Sequence, residues 1–359
     1  MLNRLTQRGM SLIELIVAMA IGVVISAALA GIFVGTTKMK RETALQGEQI
    51  ENGRLAMEWL SQDLRVAGYW DGLEYPGMSD PALPSICASS VANLKDAALV
   101  YVQGVNGAAA NALATCASNS ATAGDAAALA DVKPGTDIVM VRRAGTCVIG
   151  TADCESVAPY FQASNCSPPG DKLDGTAGTV ALGAELASPT TSDWYGVALT
   201  TGALTLHKRD CGNTAVTGSP NLASIRRYIA RIYFIANNDC AGDGLPSLKM
   251  AELRGTTWTT STIASGIEQL TVEYGQDTAG DTTAESYVTA PTTVAGWRQI
   301  VSVKLHLLTR NSAVSPDYTE TGRTYVLGAT TFGPFTDKIR RHAFTGLVTI
   351  RNPVGLRGG

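Results

Sequence analysis

A single carboxylate, Glu14, lies inside a run of 25 residues from Met10 to Val34 in which Ser11 and Ser26 are the only other polar side chains. As a helix with a rise of about 1.5 Å per residue, this run would be roughly 37 Å long. That length exceeds the roughly 30 Å of a bilayer's hydrocarbon core. A carboxylate at the centre of such a span costs about 2.5–3.5 kcal/mol. We therefore expect Glu14 to have a function and a positively charged partner.

The best partner for Glu14 is a charge that a chain cleavage would create. Residues 1–9, MLNRLTQRG, form a polar leader with two arginines. A cut after Gly9 would give Met10 a free amine four positions before Glu14. In a helical array, that amine would neutralise the carboxylate of a neighbouring copy. Gly9, which has no Cβ, would let a peptidase approach the scissile bond.

These residues resemble the type IV prepilin family. The shared features are the short basic leader, glycine at the cleavage site and Met-Ser-Leu-Ile-Glu-Leu-Ile over residues 10–16, in place of the commoner Phe-Thr-Leu-Ile-Glu. The resemblance implies that a membrane aspartyl peptidase cuts after Gly9 and that Met10 is N-methylated. It also implies that Glu14, as the family's fifth-position glutamate, sets the axial register of the assembled filament.

Two simpler interpretations of the N-terminus explain less. A secretory signal peptide has a shorter apolar region, of about 7–15 residues, with its cleavage site after that region. A plain signal anchor would account for the length but not for Gly9 or Glu14. Flanking charge does not decide the orientation, since Lys38, Lys40 and Arg41 follow the span.

The seven cysteines favour an oxidising compartment. They all lie beyond the apolar run, in the middle of the chain, and include no C-x-x-C; the three histidines, His207, His306 and His342, are scattered. Zinc-ligand spacing is therefore absent, and disulfides are the better account, as in a bacterial periplasm. Six paired cysteines allow 15 connectivities, so only the local pair Cys147–Cys154, around Gly150, is predicted. The odd cysteine would be free and buried or paired between chains. The cysteines are Cys87, Cys116, Cys147, Cys154, Cys166, Cys211 and Cys240.

Composition and motifs argue against an enzyme or a nucleic-acid-binding protein. The net charge is −3, and loss of the two leader arginines would make it −5, so no basic field for nucleic acid is expected. The chain has no G-x-S-x-G, no H-E-x-x-H and no phosphate-binding glycine loop, and we predict no cofactor. Asp277, Asp281 and Glu285 are weak calcium candidates, and a solvated turn explains them better because their spacing is not that of an EF-hand.

Beyond residue 34 the helix is expected to continue to about residue 67. No proline interrupts it, and Gly68 offers a C-terminal stop. We expect an apolar stripe to pack on the protein's own core rather than in a free coiled coil, with charged residues, including Asp63, on the other positions. The stripe comprises Ile50, Gly53, Met57, Leu60, Leu64 and Ala67.

The remainder is predicted to be rich in β structure. Residues 70–220 are loop-rich, with strands expected at 98–102 and 137–142, a hairpin at 197–207 around Thr201-Gly202, and a surface insertion at 105–131 held by Cys116. Clearer strands are expected at 225–236, 247–253, 266–274, 297–308 and 338–352, of which 297–308 has the cleanest alternation of apolar and polar residues.

Three blocks in the C-terminal half resemble the PilW-type minor pilins. They are Ile267 to Asp277, of the form I-x-x-L-x-V-x-Y-G-x-D, the strand that begins near Trp297, and Arg340-Arg341 through Phe344 to Arg351-Asn352. The last block has one extra residue before Phe344. With the N-terminus, the likeness covers about half of the chain, and residues 70–220 resemble no family we can name.

The resemblance implies an α+β, pilin-like lollipop: a long N-terminal helix packed on a mainly antiparallel sheet with disulfide-braced insertions. The expected regions are the leader (1–9), a transmembrane and filament-core helix (10–34), an amphipathic helix (35–68) and a periplasmic domain (69–359). The implied function is that of a minor pilin that primes pilus assembly near the tip. Its implied partners are the major pilin, other minor pilins, prepilin peptidase, the inner membrane and the assembly platform. The rival interpretations are a minor pseudopilin of type II secretion and a tip adhesin.

Overall fold

A computed structural model describes residues 10–73, 82–107, 129, 131–163, 195–206 and 222–352. It divides into two units, Met1–Glu48 and Gln49–Gly359. Helix α1, Leu12–Arg65, is 54 residues long, so the expectation of one long N-terminal helix is confirmed. The helix ends as its sequence predicts: Gly68 takes a φ of 72°, and its N–H donates to the carbonyl of Arg142 at 3.0 Å.

The second unit is built mainly on two antiparallel sheets. The strands are β1 Val102–Val105, β2 Ile138–Ala144, β3 Tyr160–Ala163, β4 Tyr195–Ala198, β5 Ile225–Ala236, β6 Ser247–Arg254, β7 Thr257–Ser265, β8 Ile267–Gln276, β9 Ser286–Val288, β10 Ile300–Arg310, β11 Arg323–Leu327, β12 Thr330–Phe335 and β13 Arg341–Thr349. The larger, seven-stranded sheet has the order β1-β2-β5-β3-β4, with β6 paired to β5 and β7 to β6. The smaller sheet has the order β13-β10-β8-β9, and strands β11 and β12 form a separate pair. Two short helices are α2 Val91–Ala97 and α3 Val294–Arg298.

One apolar core joins the second part of α1 to both sheets. Ala56, Leu60 and Leu64 of α1 are fully buried in the same cluster as side chains of β5 and β10. The helix therefore packs on the protein's own core, as its apolar stripe predicts. The α+β class with a mainly antiparallel sheet is confirmed.

The buried face of α1 differs from the predicted stripe at two positions. Ile50 is 51% exposed, and Gln49 takes the buried place beside it. Asp63, expected on the charged face, is only 4% exposed. Both differences arise because polar groups of the sheet reach the helix, as the contacts below show.

Three strand assignments need correction. Residues 98–101 follow helix α2, and the strand begins only at Val102. The expected hairpin at Thr201-Gly202 is wrong, because β4 pairs with β3 and is followed by a 3-10 turn at Thr201–Ala203. Trp297 lies in α3, whose N-cap Thr293 accepts from the N–H of Gly296, so β10 starts at Ile300.

The region 70–220 is more than an insertion. Four of its segments, β1 to β4, belong to the larger sheet, and β2 and β3 both pair with β5. The expected insertion at 105–131 falls mostly outside the described residues. Strand β7 was not predicted, since its Thr-rich sequence has no alternation of apolar and polar residues.

Candidate functional site

The start of helix α1 fixes the carboxylate of Glu14. Ser11 precedes the first helical residue, and its backbone N–H donates to Glu14 Oε2 at 3.0 Å. Ser11 and Glu14 have the S-x-x-E spacing of a capping box, in which the N3 glutamate reaches back to the N-cap N–H. This role of Ser11 was not predicted, although the S-x-x-E spacing signals it. The contact holds the negative charge at the positive end of the helix dipole.

The apolar part of α1 is exposed over its whole length. The most apolar 18-residue stretch of the helix has a mean hydropathy of 2.6. By its length and composition, the helix could cross a membrane. Met10 is also exposed, while Gly9 and the predicted scissile bond lie outside the described residues. So large an apolar surface marks a site of contact with lipid or with other proteins. Its exposed side chains include Leu12, Ile13, Leu15, Ile16, Val17, Met19, Ile21, Val23, Val24, Ile25, Leu29, Ile32, Phe33 and Val34.

Two glycines let α1 lie close against strand β13. A Cβ on Gly53 would be 2.3 Å from Cε2 of Phe344, so the ring occupies the space that the glycine leaves. On the strand, a Cβ on Gly346 would be 2.4 Å from Cε of Met57. Each element thus supplies a gap for a large side chain of the other. Gly53 therefore serves close packing, which its place in the apolar stripe already suggested.

Amide side chains join both ends of the part of α1 that belongs to the second unit, residues 49–65, to the rest of the domain. At its beginning, Gln49 Nε2 donates to the carbonyls of Thr309 at 2.9 Å and Arg340 at 3.1 Å. Beyond its end, Asn352 Nδ2 donates to the carbonyls of Val66 at 3.1 Å and Ala67 at 3.2 Å. The last carbonyls of a helix have no partner within the helix, so Asn352 satisfies groups that would otherwise need water.

Asp63 connects the helix to the larger sheet by charge. Its Oδ1 lies 3.1 Å from Arg143 Nε and 3.2 Å from Arg231 Nη1, and its Oδ2 accepts from the Tyr233 hydroxyl at 2.9 Å. Burial opposes the charge on Arg231, but Asp63, Tyr233 and Glu252 outweigh it and raise the pKa of Arg231 above its ordinary value. Arg231 therefore stays charged inside the domain.

The three C-terminal sequence blocks become neighbouring strands. The first two blocks form most of β8 and β10, and the third contains β13, which pairs with the other side of β10. Arg341, at the start of β13, makes ion pairs with Glu268 at 2.6 Å, Glu320 at 2.6 Å and Asp337 at 2.7 Å. These acidic groups raise the pKa of Arg341 against the effect of burial. The arginine thereby joins β13, β8 and the loops between them.

The structure brings Asp277, Asp281 and Glu285 together. Their carboxylate oxygens lie within 4.8 Å of one another. The oxygens of Asp277 accept from the backbone N–H groups of Gly280 at 2.5 Å and Thr282 at 3.1 Å. Glu285 accepts from other backbone N–H groups of the same turn. These bonds account for the cluster as turn structure, and calcium binding there stays a prediction.

The cysteines follow the expected pattern only in part. Cys147 and Cys154 form the predicted disulfide, which closes the loop between β2 and β3 and not a hairpin. Cys87 is also disulfide-bonded. Cys240 is free and exposed, so of the two expected fates of an odd cysteine the buried one is wrong for this residue, and pairing between chains stays a prediction. Cys116, Cys166 and Cys211 lie outside the described residues.

The two histidines in the described part of the chain, His306 and His342, have different surroundings and share no contact. His306 is buried in β10, with Nδ1 3.1 Å from Thr345 Oγ1 and Nε2 3.4 Å from Glu273 Oε2. His342 is exposed on β13 and stacks edge-on against Phe344, with ring centroids 4.7 Å apart. His207 lies outside the described residues.

Comparisons with known proteins point to the same two parts of the chain. Residues 232–352 match the family model described as Type IV Pilus-assembly protein W, and residues 4–30 match the Prokaryotic N-terminal methylation motif. The Pilin-like protein PilA3 of Thermus thermophilus is 34% identical over 99 residues. That match covers 27% of this chain and 42% of the relative, so it takes in less than half of the relative's length. No solved structure matches the chain.

Proposed function

We propose that the chain is a type IV minor pilin of the PilW family, and that it is cleaved after Gly9, N-methylated at Met10 and built into a pilus. Before cleavage, α1 anchors the precursor in the inner membrane. The domain of residues 69–359 already lies in the periplasm at this stage. After cleavage, the same apolar surface packs against the helices of other pilins. The partners we propose are the major pilin, other minor pilins, prepilin peptidase and the assembly platform.

The observation that carries this proposal is the position of Glu14. Its carboxylate is held by the Ser11 N–H at the start of the apolar, exposed part of α1. The amine that cleavage would create on Met10 of an adjacent subunit is a compact cation that can reach this carboxylate when two helices lie side by side. In a filament core of low dielectric, the paired charges attract strongly, whereas an unpaired Glu14 is costly.

This pairing would select one axial offset between neighbouring helices. The apolar side chains alone pack almost equally well at several offsets, because dispersion and the hydrophobic effect are not directional. A charge pair is satisfied at one offset only. We therefore propose that Glu14 sets the register and that a minor pilin with this helix primes assembly, close to the tip of the pilus.

Glu14→Ala tests the mechanism in the full-length chain. We expect the variant to be cleaved normally, because the leader is unchanged, but to be strongly reduced in sheared pili. Ser11→Ala is a matched control, since the capping contact uses the backbone N–H and remains available. Normal amounts of the Glu14→Ala variant in sheared pili would contradict the proposal.

Gly9→Leu tests the cleavage assignment. The added side chain would obstruct the peptidase, so the chain should accumulate in the membrane fraction as an uncleaved precursor. Gly22→Leu, a change of the same size in open space on the same helix, should still be cleaved. Normal processing of the Gly9→Leu variant would refute the assignment.

A further inference from the structure

A groove beside the end of helix α1 is lined by arginine side chains. It has a volume of about 410 Å³ and lies between α1, strands β2 and β5, and the segment after β13. We call it the arginine groove, and define it by Trp59, Asp63, Arg65, Arg143, Arg231 and Arg351. All six residues belong to the second unit of the structure.

Positive charge exceeds negative charge in the arginine groove. Asp63 is the carboxylate of its lining, and Arg143 and Arg231 already share it. Arg65 and Arg351 are exposed, and neither has an ion-pair partner among the described residues. The lining thus has four guanidinium groups and one carboxylate, and Glu252 forms a second ion pair with Arg231 at 2.7 Å. Positive charge remains in excess, in a chain whose net charge is −3. The guanidinium fork matches a carboxylate in geometry and charge, so the groove suits an anionic group.

Apolar side chains extend the groove along the helix. The Trp59 side chain is 40% exposed, and Leu55 and Val66 are exposed as well. Positions 55 and 59 lie on one face of α1, because they are separated by four residues, and Val66 directly follows the last residue of the helix. Exposed tryptophan next to arginine is the composition of energetically important interface sites.

The apolar side chains decide between two kinds of anionic occupant. An acidic sugar could stack on the Trp59 indole and bind arginine, but its hydroxyl groups would gain nothing from Leu55 and Val66. A peptide segment with alternating acidic and apolar side chains would cover both features. The combination of charge and apolar surface therefore favours protein over polysaccharide.

We propose that the arginine groove binds a carboxylate-bearing peptide segment of a partner subunit in the same filament. The partner's acidic side chain would lie between Arg65 and Arg351, with an apolar neighbour on Trp59. That the partner is a filament subunit rests on the function proposed above. The anionic and apolar chemistry of the segment rests on the groove alone.

Photocrosslinking of the full-length chain in cells tests this proposal. Trp59→p-benzoylphenylalanine places the crosslinker in the groove, and Gln62→p-benzoylphenylalanine provides a second position on its exposed rim. We expect an adduct that mass spectrometry assigns to another pilin, through a segment that contains aspartate or glutamate. Val326→p-benzoylphenylalanine, at an exposed position on β11, should not give this adduct.

Charge reversal provides the specific readout. The double variant Arg65→Glu/Arg351→Glu should lower the adduct yield about tenfold, because attraction becomes repulsion at both positions. Arg54→Glu is the matched control: Arg54 is exposed on the same helix but lies outside the groove, and the adduct should persist. Unchanged thermal unfolding of the double variant would show that it is folded.

The outcomes separate this proposal from the proposed function. A chain found in sheared pili without a groove adduct, or with an adduct that survives Arg65→Glu/Arg351→Glu, overturns the groove proposal and leaves the pilin function intact. An adduct to a polysaccharide, a lipid or a protein outside the filament also overturns it. Absence of the processed chain from pili overturns the proposed function instead.

Discussion

Gly53→Ala should destabilise the domain, although alanine is the better helix former. The new methyl group would lie 2.3, 2.7 and 2.8 Å from three atoms of the Phe344 ring. The ring cannot move without loosening its contacts with His342 and the core. Overpacking of this kind costs about 1–3 kcal/mol. The gain in helix propensity is about 1 kcal/mol, so we expect a net loss of up to about 2 kcal/mol.

Gly47→Ala is the matched control for this change. It makes the same chemical change in the same helix, but no atom lies within 4 Å of the added Cβ. Denaturant unfolding of both full-length variants in detergent, followed by circular dichroism, measures the difference. Gly53→Ala should lower the midpoint, whereas Gly47→Ala should leave it unchanged or raise it.

A double-mutant cycle identifies the contact that is responsible. Phe344→Leu removes most of the ring, so Gly53→Ala should cost less in that background, with a coupling of about 1 kcal/mol or more. The close approach between α1 and β13 would be refuted if Gly53→Ala raised the stability as much as Gly47→Ala does. Equal costs of Gly53→Ala in both backgrounds would refute it too.

Three further predictions concern the polar contacts of the domain. Asp63→Asn should cost about 3–5 kcal/mol in thermal or denaturant unfolding, because Arg143 loses its buried counter-charge and Arg231 keeps only Glu252. Glu58→Gln, on the exposed face, should change the stability by no more than about 0.5 kcal/mol, and equal effects of the two variants would contradict this. Asn352→Ala should cost about 1 kcal/mol through the loss of the bonds to the helix end, and an unchanged midpoint would show that water replaces them. Burial opposes the charge on Glu252, but Arg231 and Arg227 outweigh it and lower the pKa of Glu252. Its contribution to stability is therefore present above the unfolded pKa of about 4.3 and is lost as the pH falls through the lower folded pKa. Unfolding free energies measured from pH 5 downward should fall less steeply for Glu252→Gln than for the wild type, and identical slopes would count against this ion pair.

Local sequence patterns predicted the elements whose apolar side chains fill a strand or recur at helical spacing. Strands β5 and β8 were placed almost to the residue because β-branched and aromatic side chains fill them. The apolar face of α1 was found through Leu60, Leu64 and Ala67, which recur at helical spacing. The Cys147–Cys154 disulfide could be predicted because the two cysteines are close in sequence.

The features that were missed depend on partners distant in sequence. Asp63 is buried because Arg143 and Arg231, 80 and 168 residues later, reach it across the fold. Strand β7 has mostly exposed residues and is held by pairing with β6, so its composition carries little signal. Ser11 is the exception, because its capping spacing to Glu14 is local and could have been recognised.

The most direct test of the central claim is the N-terminus of this chain in purified sheared pili. Our account predicts that mass spectrometry of the terminal peptide will find a chain that begins with N-methylated Met10 and retains Glu14 as its fifth residue. A chain that still begins at Met1, that starts at another residue or that is missing from pili with intact major pilin would contradict the account.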